Sequence, residues 1–151
     1  MVEINQKERD IITNLQAQEK MCIDKYERNA QTAKDPELKS LFKDLQQNEQ
    51  KHYNMLSQIL NGTVPTMQLE SPEAYSPIAT YVGNYNEADK TDDAFLCTDS
   101  ITTEKYVSTA YNFNLFQFAN SDIRKLLNDI ETEEQNHAEK IYKYKSINQM
   151  A

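Results

Sequence analysis

From about Asn5 to Ala33 the chain has no proline or glycine, and the apolar residues Ile12, Leu15, Ile23, Tyr26, Ala30 and Ala33 recur at helical spacing. One long helix is predicted there. Asp35-Pro36-Glu37 reads as the start of a second, with Asp as N-cap, Pro at the first helical position and Glu favoured by the helix dipole. That helix carries Leu38, Leu41, Phe42, Leu45, Leu56 and Ile59 on one stripe, and it stops at Asn61-Gly62, where glycine supplies a left-handed cap. The tight turn between them makes an antiparallel hairpin.

Residues 63–90 change character, with Pro65, Pro72, Pro77 and Gly83 among polar and tyrosine residues, and this stretch reads as a connection holding at most a short helical turn. A helix of about 26 residues is roughly 39 Å long and about 28 extended residues reach about 90 Å, so the segment can cross a bundle from end to end and leave the second and third helices parallel. The helical period returns from about Asp92 to Phe118 through Cys97, Ile101, Val107, Tyr111 and Leu115. It continues from Asp122 to about Ile147 through Ile123, Leu126, Leu127, Ile130, Ile141 and Tyr144. One constant offset superposes Leu41 on Leu126, Phe42 on Leu127, Asp44 on Asp129, Leu45 on Ile130, Tyr26 on Tyr111 and Lys20 on Lys105. The expected fold is all-α, a four-helix bundle of two duplicated antiparallel hairpins. Hairpin one spans 5–62, the crossover 63–90 and hairpin two 91–148, within a single domain of 1–151.

The same register carries the candidate chemistry. Glu49-Gln50-Lys51-His52 is echoed at that offset by Glu134-Gln135-Asn136-His137, and each aims a carboxylate and an imidazole from adjacent turns of one helix face. Glu19 precedes Glu49 by the same interval that separates Glu104 from Glu134. The chain has only 2 histidines and both show this spacing, a coincidence expected by chance at roughly one in ten thousand for a Glu frequency of about 0.09. Turn centres near Lys34 and Ala119 lie midway between the two glutamates of their own hairpins, so each pair sits at one height. Packed about a pseudo-twofold, the hairpins would bring Glu19, Glu49, His52, Glu104, Glu134 and His137 together at mid-bundle.

A lone Glu or His at such a position is ordinarily a solvated or satisfied polar group. Four carboxylates buried together cost several kcal/mol each unless they stay wet, protonate or bind cations, and two divalent ions remove the penalty. Two imidazoles with four carboxylates suit iron or manganese, and zinc can occupy the same donors. Tyr26 and Tyr111, each seven residues after a candidate glutamate, share that inward face. Each is expected either to pack as a core aromatic bonded to a carboxylate or to orient a ligand or donate an electron. Cys22 and Cys97 read as packed, reduced thiols, and Asp44 and Asp129 as solvated.

Composition removes other classes. Lys plus Arg number 16 against 24 Asp plus Glu, a net charge of -8, which disfavours nucleic acid and anionic membranes as partners. Two cysteines make neither a disulfide framework nor a Cys-x-x-Cys metal site. Residues 1–10 hold no apolar stretch that could act as a signal peptide, and no segment approaches a membrane span, so a protein kept inside the cell is expected.

The doubled pattern resembles the ferritin-like superfamily, whose members carry Glu, Glu-x-x-His, Glu, Glu-x-x-His on four helices and often a Tyr seven residues after the first Glu. Glu19, Tyr26, Glu49, His52, Glu104, Glu134 and His137 match it. The resemblance implies a ferritin-like domain in which Glu49 and Glu134 bridge two metals, Glu19 and Glu104 are terminal ligands, and His52 and His137 each hold one ion. Asp35-Pro36-Glu37-Leu38, Leu45-Gln46-Gln47 and His52-Tyr53 further resemble the coat F family of bacterial spore coat proteins. Two functional classes follow. One is a di-iron or di-manganese protein, ferroxidase- or peroxidase-like, that meets oxygen or peroxide or binds iron. The other is a structural coat component whose metal site is only stabilising or vestigial. Homo-oligomers or a coat-layer assembly are implied, in the cytoplasm or, in a spore former, the spore coat.

Overall fold

The computed structural model describes residues 1–150. Four long helices carry the fold: α1 (Gln6–Thr32), α2 (Pro36–Leu60), α3 (Glu87–Leu115) and α4 (Ser121–Ile147), with one 3₁₀ turn at Pro72–Ala74 in the connection. Each long helix opens on an Asn or Asp cap. Asn5 and Glu8 form a reciprocal capping box, Asp35 accepts from the Glu37 amide, Asn86 from Ala88 and Asp89, and Asn120 from Asp122 and Ile123. Gly62 closes α2 at φ +91, the left-handed conformation that glycine adopts without strain.

α3 starts at Glu87, ahead of the Asp92 start expected from periodicity and inside the stretch assigned to the connection. Residues 87–91, Glu-Ala-Asp-Lys-Thr, offer almost no apolar side chain to show a period. The Asn86 cap, with acidic Glu87 and Asp89 behind it, nucleates the helix there.

α1 packs on α2 and α3 on α4 as two antiparallel hairpins. The connection runs the length of the bundle. At its start, Gly62 and Thr63 lie beside Met1, Val2, Asn120 and Asp122, and the Val2 amide donates to the Gly62 carbonyl at 2.9 Å. Farther on, Glu70 pairs with Lys140 at 3.3 Å and Lys143 donates to the Tyr75 carbonyl. At its far end the amides of Thr80 and Tyr81 both donate to Asn148 Oδ1 at 2.9 Å. The segment therefore climbs along α4, and α2 and α3 run parallel.

The opposite end of the bundle is fastened by buried acids. Asp93, fully buried, accepts from the amides of Lys34 (2.9 Å) and Asp35 (3.0 Å) and from the Tyr81 hydroxyl (2.5 Å). Asp35 accepts in turn from the Tyr144 hydroxyl (2.5 Å) and from Thr80. The α1–α2 turn, the crossover, α3 and the end of α4 are thereby tied at one point.

Two apolar cores fill the bundle. One, around Ile12, Leu15, Leu56, Ile59, Ile123 and Leu127, sits at the end where α2 finishes, and the other, around Ala33, Leu38, Phe42, Cys97, Ile141 and Tyr144, sits at the end where α2 begins. Between them lies a polar layer.

Candidate metal centre

Glu19, Glu49, His52, Glu104, Glu134 and His137 make that layer, each no more than 1 % exposed. The duplication places them there. α1 and α3 run in opposite directions and carry one glutamate each, while α2 and α4 each carry the Glu-x-x-His pair one turn apart, so a pseudo-twofold perpendicular to the bundle axis relates the two sets.

The close contacts cross from one hairpin to the other. His52 Nδ1 lies 2.8 Å from Glu134 Oε1, and His137 Nδ1 lies 2.7 Å from Glu49 Oε1. The Tyr26 hydroxyl donates to Glu104 at 2.5 Å, and the Tyr111 hydroxyl donates to Glu19 at 2.6 Å. Both tyrosines thus face the layer through a carboxylate, and each holds the glutamate that the opposite half contributes from α1 or α3 by one oxygen. The second oxygen stays unengaged.

Two groups of donors result. Glu19, Glu49, His52 and Glu134 can place one ligand atom each within 4.8 Å of one another, and so can Glu49, Glu104, Glu134 and His137. Glu49 and Glu134 belong to both groups. Glu19 Oε2, Glu104 Oε2, both oxygens of Glu49 and of Glu134, and Nδ1 of both histidines are buried without a hydrogen-bond partner. Although the imidazole nitrogens sit 2.7 to 2.8 Å from carboxylate oxygens, the geometry is not that of a hydrogen bond. Donor atoms at right angles around an ion with bonds of about 2.1 Å lie about 3 Å apart, which is close to the spacing found here. Orphaned buried acceptors are costly in a native protein, and their convergence fits a cation.

The electrostatics agree. Burial, and then the neighbouring Glu19 and Glu104, push Glu49 well above the usual carboxylate range, and burial with Glu104, Glu49 and Glu19 does the same to Glu134. Burial raises Glu19 too, but His52 beside it outweighs that and leaves its pKa lowered. Burial disfavours the charged form of both histidines, yet Glu19 and its neighbours raise His52 well above the ordinary value, and Glu104 raises His137. Protons can therefore offset part of the buried negative charge.

The halves differ in one respect. His52 Nε2 lies 2.8 Å from Glu133 Oε1, a carboxylate that fixes the ring and leaves Nδ1 facing the layer, whereas His137 Nε2 is buried without a partner. At the offset that relates the two halves, Glu133 corresponds to Asn48, a neutral amide where the other half has a carboxylate. Sequence reasoning misses Glu133 although it directly precedes Glu134. Its role depends on how α4 faces α2, and spacing within one helix does not carry that information.

Cys22 packs with the core around Ile12, its pKa raised by burial and then by the nearby glutamates, and Cys97 lies in the other core, pushed up to about 12 by burial. Both remain free thiols. Asp44 is exposed, and Asp129 pairs with Lys125 at 2.8 Å.

Four helices enclosing a buried set of four glutamates and two histidines resemble the ferritin-like carboxylate bundles. Comparison with known families agrees half by half: the Rubrerythrin family model matches residues 2–60, and the Coat F domain model matches residues 92–148. The coat F likeness seen in the sequence around residues 35–53 thus falls in the half that matches Rubrerythrin, and the second hairpin carries the Coat F match. Neither a curated protein nor a solved structure matches the chain. Among the described residues no helix is long and apolar enough to cross a membrane.

Proposed function

We propose that the polar layer binds two divalent ions, iron or manganese, with Glu19 and His52 on one, Glu104 and His137 on the other, and Glu49 and Glu134 shared by both. The observation that carries this reading is the set of orphaned donor atoms converging from four helices into a buried core. When bound, such a pair supplies electrons to oxygen or peroxide and neutralises the carboxylates. The chain's own residues do the rest. Glu133 orients His52, Tyr26 and Tyr111 each hold one oxygen of a terminal glutamate, and the cores on either side restrict water. The protein then acts as a ferroxidase- or peroxidase-like protein or as an iron binder, in the cytoplasm or in a spore coat.

The Coat F match supports a second reading, a coat component in which metal only stabilises the bundle. Metal analysis of protein purified without a chelating tag should find two ions per chain. Ferrous iron titrated under air separates the readings: rapid iron-dependent oxygen consumption is expected for the first, and binding without turnover would favour the second. Protein that binds neither iron nor manganese would end both metal assignments.

A further inference from the structure

α3 is apolar on two opposite faces. One carries Cys97, Glu104, Val107 and Tyr111 into the bundle; on the other, Phe95, Tyr106 and Phe113 are each 69 % exposed, and Phe116 just beyond the helix is 74 % exposed. At about 100° per residue, Phe95, Thr102, Tyr106, Thr109 and Phe113 fall within about 60° of one another, opposite the buried face, along roughly 27 Å of helix. No charged residue lies on this line. The threonine hydroxyls on it are turned back onto their own helix, Thr102 to the Thr98 carbonyl at 3.0 Å and Thr109 to the Lys105 carbonyl at 2.9 Å, so their polar atoms are already satisfied. Asp99 at its margin is paired with Lys25 at 2.5 Å.

We propose that this face is the contact surface for a second copy of the chain, with the two α3 helices antiparallel. The spacing of the stripe is its own complement. Phe95 and Phe113 are equally far from Glu104 on either side, and so are Thr102 and Tyr106, so a twofold through that level sets Phe95 against the partner's Phe113 and Thr102 against the partner's Tyr106, while Thr109 meets the partner's Asp99, whose carboxylate is already paired with Lys25. The area suffices. Four rings of about 200 Å² each, some seven-tenths exposed, present roughly 550 Å², and the flanking threonine and asparagine side chains bring this near the roughly 800 Å² per partner of a stable interface. A face whose one marginal charge, Asp99, is already neutralised by Lys25 gives an acidic or basic partner little to pair with. It suits a copy that, at net charge -8, must be held by apolar contact against mutual repulsion.

The inference stands on the exposed stripe and is independent of metal. Sedimentation of the full chain across the micromolar range is expected to show a dimer, tightened by added salt as the repulsion is screened. Tyr106→Lys should weaken it about thirtyfold or more while helix content and melting stay as in the parent, because the position is exposed. For register, a mixture of Phe95→Cys and Phe113→Cys proteins under mild oxidant should link between copies, and each variant alone should not; the native thiols are buried. A monomer at all concentrations, a dimer indifferent to Tyr106→Lys, or self-linking of the Phe95→Cys protein would each overturn the proposal.

Discussion

At the scale of single residues, His137 is expected to be the weaker of the two candidate ligands, because its Nε2 has no partner to fix the ring from behind. Asn48→Glu would supply the carboxylate that the pseudo-twofold calls for, matching Glu133, and a gain of about tenfold in manganese affinity is expected by calorimetry. His137→Ala should reduce the rise in melting temperature given by ferrous or manganous ion, a rise worth roughly 2.7 kcal/mol when free metal is about 100 times its dissociation constant. Glu139→Ala, exposed on the same helix, should leave that rise intact. Proton linkage gives a third expectation. Glu49, Glu134, His52 and His137 hold protons more tightly in the metal-free fold than in the unfolded chain, so their contribution is complete at low pH and is lost as pH climbs through the raised folded values. Glu19 and Glu133, both lowered, act in the opposite sense: their contribution is complete above the ordinary carboxylate range and is lost as pH falls through the lowered folded values. Above the carboxylate range only the four raised groups still hold more protons in the fold than in the unfolded chain, so the metal-free protein should lose stability between about pH 5 and about pH 8, and the metal-induced rise in melting temperature should grow over the same window. A rise that shrinks toward the upper end of that window would contradict the site.

At the scale of elements, periodicity reveals four helices because the apolar residues named for α1, α2 and α4 are all buried, and the echo between the two halves reveals their pairing. The six candidate ligands are legible for the same reason, since spacing along a helix fixes height and face. Interactions that depend on how two elements meet are not legible. Asp93 serves backbone amides 58 and 59 residues away, and no local pattern announces that. On α3 the period shows one apolar stripe, and the buried one hides the second, exposed one. Asp93→Ala tests the buried fastening. It strands the amides of Lys34 and Asp35, and a loss of about 3 kcal/mol is expected from two unsatisfied buried donors, measured by denaturant unfolding with metal bound. A change below about 0.5 kcal/mol would mean that water replaces the carboxylate at once.

At the scale of the whole molecule, the polar layer divides the bundle into two cores that each close one end. Isolated helices fray from their tips. Here the tips are anchored, by Asp93 and Asp35 at one end and by the Val2–Gly62 contact with the Ile12 and Leu127 core at the other, while the middle holds unsatisfied donors when metal is absent. The metal-free protein should therefore loosen from its centre outward. Amide hydrogen exchange should show a trough of protection around Glu19, Glu49, Glu104 and Glu134 of the four helices, flanked by slower amides on both sides, and metal should fill the trough without changing the flanks. In effect each helix is a beam spliced at midspan, and bound ions would be the bolts.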